Sequence, residues 1–161
     1  MPLAAGSKAP AFVLPRAGGG DLEFPPRPAR PALLTFYKDE CPTCRYTFPF
    51  LQRLHEQVGD RALVMGVSQD DGPRAEAWAA DLGLTFPIAV DGPGYPVSSR
   101  YGLVVVPTLF LVGADGRLAR VEEAFLKDAM SGLAEELAAR AGAPPPALYR
   151  PGEEIPALKP G

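Results

Sequence analysis

The chain has 161 residues, of which 47% are hydrophobic and 22% charged, proportions that suit one globular domain with a single core. Its formal net charge of −3 argues against nucleic acid or an anionic membrane surface as a partner. No segment is apolar over the length that crosses a bilayer, and residues 1–8 lack the features of a signal peptide, so we expect a cytoplasmic protein.

The chain begins with a predicted β-hairpin and a buried strand. Short apolar segments at 11–14 and 22–24 flank the turn sequence Gly18-Gly19-Gly20-Asp21. Residues 32–37 are apolar almost throughout, as expected for a central strand that is covered on both faces. A helix is predicted next, over 42–58, because Pro42 suits a first helical turn and Gly59 a helix end.

The next predicted elements alternate between strand and helix. Residues 62–68 form a second buried strand, and Asp70-Asp71-Gly72-Pro73 starts a helix that ends at Gly83. A short extended piece at 86–90 and a short helix at 95–101 follow.

The last elements are a strand, a hairpin and a closing helix. We expect a strand over 103–112, broken by Pro107, and a turn at 114–117 that leads into a strand at 118–121. The closing helix covers about 128–140. This order predicts an α/β domain over 1–141, with a central mixed sheet, helices on both faces and an N-terminal β-hairpin. Residues 142–161 are predicted to be a Pro-rich C-terminal tail without its own core.

Cys41 and Cys44 are the only cysteines, and they stand where the first buried strand gives way to a helix. C-x-x-C spacing lets two sulfurs meet within one helical turn, and a helix N-terminus favours a thiolate at its leading position. A disulfide across so short a loop removes little chain entropy, so a purely structural bridge is a poor explanation. We expect no metal, because tetrahedral zinc needs four ligands and the chain adds only one histidine to the two cysteines.

The residues predict a thiol exchange reaction. Cys41 attacks a substrate disulfide and forms a mixed disulfide, which Cys44 then resolves. Lys38 and Glu40 are candidates for tuning the pKa values of the two thiols, and they carry opposite charges. Asp39 adds a second negative charge. The sequence leaves open whether the positive or the negative charges have the larger effect on the thiols. Glu40 is either a proton carrier for Cys44 or a solvated surface carboxylate.

Pro107 needs an explanation, because a proline inside a buried strand removes a ladder hydrogen bond. A cis Val106–Pro107 bond is one reading, with the backbone of Val106 exposed for an extended substrate to pair with. An ordinary trans proline at a strand start or bulge is the other, and residue statistics alone favour it.

These motifs, taken in order, resemble the thioredoxin-fold superfamily. The similarity is greatest to its TlpA/ResA-like thiol–disulfide oxidoreductases and the related AhpC/TSA peroxiredoxins. It covers about 6–140 and rests on four segments. They are Gly6-Ser7-Lys8-Ala9-Pro10-Ala11-Phe12-Val13-Leu14, Leu34-Thr35-Phe36-Tyr37 with Cys41-Pro42-Thr43-Cys44, Pro49 after them, and Tyr101 to Val112 with Asp115-Gly116-Arg117 behind it.

The resemblance implies a thioredoxin-like fold and a thiol–disulfide oxidoreductase. The implied redox group is the Cys41–Cys44 disulfide, with no other cofactor. Pro107 is implied to be cis, and Val106, Pro107, Pro42 and Thr43 are the implied substrate-docking residues. Implied partners are protein or small-molecule disulfides and thiols and an electron donor or acceptor, and the protein is expected to be a monomer.

Two other functions remain open. A peroxiredoxin-like thiol peroxidase would need a hydroxyl three residues before its reactive cysteine and a later arginine, but Lys38 and Pro107 occupy those positions. A redox-inert binding domain is the second alternative. The chain also departs from thioredoxin itself, with Thr35 at the position of a buried acid and Glu40 at the position of an aromatic residue. His55 and Trp78 are interpreted as structural.

Overall fold

The computed structural model describes all residues from 1 to 161. Four helices and nine short strands make up the regular structure. The strands are β1 Phe12–Pro15, β2 Asp21–Phe24, β3 Ala32–Tyr37, β4 Leu63–Ser68, β5 Ile88–Val90, β6 Thr108–Val112, β7 Leu118–Glu123, β8 Phe125–Leu126 and β9 Leu158–Lys159. The helices are α1 Pro42–Val58, α2 Gly72–Leu82, α3 Pro96–Arg100 and α4 Lys127–Arg140, with one 3-10 turn at Gly59–Arg61.

Five strands form the central mixed sheet, in the order β5-β4-β3-β6-β7. Strand β3 lies at its centre and pairs in parallel with β4 and antiparallel with β6, from Ala32 opposite Leu63 and Val112. All six β3 residues are buried, which explains why this segment is apolar almost throughout. The predicted mixed sheet and the N-terminal hairpin, β1 paired with β2, are both confirmed.

The helices cover both faces of the sheet. Apolar side chains of α1, α2 and α4 pack against one face, and those of α3 and the N-terminal hairpin pack against the other. The single tryptophan, Trp78 on α2, stacks on Tyr37 with ring centroids 4.1 Å apart and meets Phe48 edge-on at 4.5 Å. Trp78 is therefore part of the core, which agrees with its interpretation as a structural residue. None of the helices has the length and apolar content that a membrane span requires.

Helix ends follow the residues that the sequence indicates. Asp71 caps α2 by accepting the backbone N–H of Arg74 at 2.9 Å, and Gly83 ends it with a φ of 65°. A left-handed φ suits glycine because it has no side chain to clash with the backbone.

The structure corrects the strand predicted over 103–112. Strand β6 begins only at Thr108, and residues 103–107 form a loop instead. Proline cannot donate a hydrogen bond to a neighbouring strand, so the pairing of β3 with β6 stops where Pro107 would have to donate. The apolar side chains of this loop, such as those of Val104 and Val105, are therefore exposed on the protein surface instead of buried in the sheet.

The segment 142–161 lies against the rest of the chain. Leu148 is buried, and β9 pairs antiparallel with β8, with Lys159 opposite Phe125 and Leu158 opposite Leu126. The division of the chain into a domain that ends at 141 and a Pro-rich tail stays a prediction.

Candidate active site

Cys41 occupies the junction between β3 and α1. It is the N-cap residue of α1, with φ −91° and ψ 108°, and its sulfur accepts the backbone N–H of Cys44 at 3.1 Å. Pro42 follows as the first helical residue, where its missing N–H has no intrahelical partner to lose. The sulfur of Cys41 therefore lies at the helix N-terminus, where free N–H groups favour a negative charge. Cys41 is 7% exposed, and both cysteines are free thiols.

Cys44 lies one turn further into α1 and is fully buried. Burial raises the pKa of its thiol well above the ordinary value of 9.0, and the Cys41 side chain raises it further. The backbone N–H and the positive charge of Lys38 act in the opposite direction. The two sulfurs are thus unequal, because only Cys41 is reachable from solvent and Cys44 holds its proton firmly.

The loop 103–107 forms the wall opposite α1. The thiol of Cys41 donates to the carbonyl oxygen of Val106 across 3.7 Å, and the Val106–Pro107 peptide bond is cis. Thr108 fixes the loop from the sheet side by donating its hydroxyl to the Val105 carbonyl at 2.7 Å. The structure thus brings the backbone of Val106 beside Cys41, whereas Pro107, the next residue, is buried and does not line the groove.

A groove of about 500 Å³ opens between these two walls. The residues along it are Lys38, Cys41, Pro42, Thr43, Gln69, Leu103, Val104, Val105, Val106, Pro160 and Gly161. Thr43 is buried and donates its hydroxyl to the carbonyl oxygen of Pro160. Pro42 and Thr43 therefore lie in one groove with Val106, and their role in substrate docking stays a prediction.

Several groove residues were not foreseen from the sequence. Val104 and Val105 are 62% and 38% exposed, although their apolar run predicts a buried strand. Pro160 and Gly161 come from the segment that was predicted to be a tail without a core. Pro107 in the apolar run is the one sequence signal that Val104 and Val105 could lie outside a strand. No local pattern indicates that Pro160 and Gly161 line the groove.

The two charged candidates both line one polar cleft, but they differ in their contacts. Lys38 is exposed, and it lines both the groove and a neighbouring polar cleft. Glu40 is 75% exposed and turns towards Arg74, with its Oε1 3.8 Å from the guanidinium. Arg74 itself makes two hydrogen bonds to Asp39, at 2.8 and 3.0 Å. Glu40 therefore has the surroundings of a solvated surface carboxylate, whereas Lys38 acts on Cys44.

Other residues considered from the sequence lie outside the groove. His55 is half-buried on α1, its ring meets Phe86 at 5.8 Å, and burial lowers its pKa. Thr35 is fully buried in β3, and its hydroxyl has no hydrogen-bond partner. No three His, Cys, Asp or Glu side chains lie close enough together to share a metal ion.

Comparison with known proteins places this site in a family context. The Thioredoxin-like protein YneN of Bacillus subtilis (strain 168) is 27% identical over 115 residues, which are 69% of this chain and 66% of YneN. The Thiol-disulfide oxidoreductase ResA of Geobacillus thermodenitrificans (strain NG80-2) is 29% identical over 122 residues, which are 74% of this chain and 69% of ResA. This chain thus spans about two thirds of the length of these curated relatives.

A solved structure extends the likeness to the fold. The crystal structure assigned to the thiol:disulfide interchange protein DsbE of Chlorobium tepidum superposes with a TM-score of 0.78 and 25% identity, over 87% of this chain and 99% of that one. The family model described as AhpC/TSA family matches residues 5–121, most of the chain and both cysteines. The chain belongs to the AhpC/TSA family.

Proposed function

We propose that the protein is a thiol–disulfide oxidoreductase in which Cys41 attacks and Cys44 resolves. The observation that carries the proposal is the inequality of the two sulfurs. Cys41 lies at the N-terminus of α1 on an open groove, and Cys44 is buried directly behind it and donates its N–H to the Cys41 sulfur. The dithiol supplies the electrons, so the proposed reaction needs no further cofactor.

The proposed reduction proceeds in two exchanges. The Cys41 thiolate attacks one sulfur of the substrate disulfide, forms a mixed disulfide and expels the first substrate thiolate. Cys44 then attacks the Cys41 sulfur and forms the Cys41–Cys44 disulfide, and its proton passes to the second substrate thiolate, which leaves as a thiol. Two electrons pass from the dithiol to the substrate, and the reverse sequence oxidises a dithiol substrate.

The second exchange is the step that the protein environment opposes. Burial raises the pKa of Cys44, so deprotonation needs help from the backbone N–H and positive charge of Lys38. A buried thiol that stays protonated reacts slowly with other oxidants, so Cys41 is the first of the two sulfurs to react.

The proposed partners are proteins or small molecules that carry a disulfide or a dithiol, together with an electron donor or acceptor. The names of the relatives, thiol-disulfide oxidoreductase and thiol:disulfide interchange protein, support this class. We further propose that the protein acts as a monomer and binds neither nucleic acid nor membrane, in keeping with its formal charge of −3. The cytoplasmic location stays a prediction.

Thiol counting with 5,5′-dithiobis(2-nitrobenzoic acid) tests the roles of the two cysteines. The reduced wild-type protein should release two thionitrobenzoate ions and retain none, because Cys44 expels the second. Cys44→Ser should release one and retain one as a mixed disulfide on Cys41. Cys41→Ser should react far more slowly, since the remaining thiol is buried. Equal rates for the two variants, or retention of the label by the wild type, would refute the assignment.

The family also contains peroxidases, so thiol peroxidase activity is the second candidate. The surroundings of Cys41 do not favour it, because Lys38 is the only cationic side chain along the groove and the Thr43 hydroxyl is already bonded to Pro160. A peroxidase needs donors that polarise the O–O bond. Consumption of hydrogen peroxide should therefore be slow beside disulfide exchange; the opposite ranking would favour the peroxidase. A redox-inert protein would fail in both assays.

A further inference from the structure

The segment that follows α4 is fixed to the outside of α1. Leu148 is 4% exposed, and its carbonyl accepts a hydrogen bond from Arg53 at 3.0 Å. Two guanidinium nitrogens of Arg53 also donate to the two carboxylate oxygens of Glu153, both at 2.7 Å. Arg53 lowers the pKa of Glu153 to about 2, so this pair is charged at neutral pH. The residues after Glu153 therefore run back towards the start of α1, where Pro160 meets Thr43.

Residues 157–161, here named the strap, lead from these contacts with Arg53 into the groove. The carbonyl of Ala157 accepts the backbone N–H of Lys127 at 2.9 Å, and β9 pairs with β8. Beyond β9, Pro160 accepts the hydroxyl of Thr43, and the backbone of Gly161 lies so close to the Val106 carbonyl that a side chain there would collide with it.

The strap therefore uses the groups that an extended substrate chain would need. Val106 and Thr43 are two of the proposed docking residues, one on each wall of the groove, and the strap contacts both. A polypeptide client that pairs with the Val106 backbone cannot share this place with the strap. The space that remains, about 500 Å³, still leaves Cys41 open to a small molecule.

We propose that the strap is a specificity-determining element that occupies the polypeptide subsite of the groove, so that small disulfides react freely and polypeptide disulfides react only when the strap is displaced. This inference rests on the thiol–disulfide exchange proposed above. The fraction of molecules with a displaced strap then sets the apparent rate for polypeptides, whereas it leaves the rate for small disulfides unchanged.

A proline at position 159 tests the strap with little change elsewhere. Along two antiparallel strands, residue pairs that are hydrogen-bonded to each other alternate with pairs that are not. Lys127 and Ala157 are a hydrogen-bonded pair. Phe125 with Lys159 is the next one, so Lys159→Pro removes a backbone donor from β9. Lys159→Arg is the matched control, because it keeps both the donor and the cation that lies 5.0 Å from the Tyr46 ring. Glu153→Gln weakens the Arg53–Glu153 ion pair, which is not part of the β8–β9 pairing.

The experiment compares single-turnover rates of the reduced full chain with insulin and with 5,5′-dithiobis(2-nitrobenzoic acid). Lys159→Pro should react with insulin about fivefold faster than wild type, the factor expected for one net backbone hydrogen bond, with an unchanged rate for the small disulfide. Glu153→Gln should change the insulin rate in the same direction, and Lys159→Arg should change neither rate.

Three outcomes separate the possibilities. An unchanged insulin rate in Lys159→Pro, together with increased hydrogen exchange at the Lys127 amide, would overturn the proposal, because the strap would then be loose without effect. An equal rise for both disulfides would also overturn it. A wild-type protein that reacts with neither disulfide would instead refute thiol–disulfide exchange itself.

Discussion

Two buried threonines on neighbouring strands allow a test of the core in which one substitution should have opposite effects. Thr35 in β3 and Thr108 in β6 are both fully buried. The Thr35 hydroxyl has no partner, whereas the Thr108 hydroxyl donates to the Val105 carbonyl at 2.7 Å. Valine has the same branching as threonine, with a methyl group in place of the hydroxyl. We expect Thr35→Val to stabilise the fold and Thr108→Val to destabilise it.

The magnitudes follow from the two hydrogen-bonding states. A buried hydroxyl without a partner costs about 1–3 kcal/mol, so Thr35→Val should raise the free energy of unfolding by about 1–2 kcal/mol after small losses in packing. Thr108→Val removes a hydrogen bond and should lower the free energy of unfolding by about 1 kcal/mol, since water can reach the partly exposed Val105. Each kcal/mol corresponds to about 2–4 °C in Tm at this chain length.

Urea unfolding of the reduced proteins, followed by circular dichroism, measures both changes. The slope of the free energy against urea should stay constant across the wild type and both variants, so that midpoints can be compared directly. A loss of stability in Thr35→Val as large as that in Thr108→Val would refute the reasoning, because it would show that the Thr35 hydroxyl has a partner. Thr35→Val should also retain disulfide exchange, since Thr35 lies outside the groove.

Three further predictions concern ionisable groups that are buried or half-buried. Burial raises the pKa of Cys44 above 9.0, so the free energy of unfolding of the reduced protein should fall as pH rises above about 9, and less steeply in Cys44→Ala. Burial lowers the pKa of His55 below 6.5, so stability should fall as pH drops through that range, and His55→Leu should remove this slope. Asp91 is 1% exposed and accepts the backbone N–H groups of Val97 and Ser98 at 3.0 and 2.7 Å. Asp91→Ala should cost about 3–5 kcal/mol in urea unfolding, because it leaves buried donors unpaired.

The central part of the fold could be predicted because its signals are local. Strand β3 has the bounds that its continuous apolar run indicates, and α1 runs from Pro42 to Val58 as its proline start and glycine end indicate. The position of Cys41 at the N-cap follows from that boundary alone. The same reasoning was wrong for residues 103–107. Their apolar composition predicts a strand, but in the structure Pro107 prevents strand pairing and these residues form a loop.

The strap could not be predicted because its contacts are distant in sequence. Strands β8 and β9 have two residues each, too few for a periodic pattern, and they join Phe125 to Lys159 across the length of α4. A proline-rich composition indicates extended backbone but does not say which surface the backbone follows. The pairing of Arg53 with Glu153 likewise depends on the folded path of the chain rather than on any spacing of charges.

The stacking of Trp78 on Tyr37 gives the protein an optical property that experiments can exploit. A chain with one indole has one source of tryptophan fluorescence. Here that source packs against Tyr37 and Phe48, an aromatic layer whose Phe48 lies one turn beyond Cys44 on α1. Emission recorded while an oxidant is added therefore reports on this layer without an attached dye. We expect this emission to change if oxidation of the cysteines shifts Phe48 against Trp78.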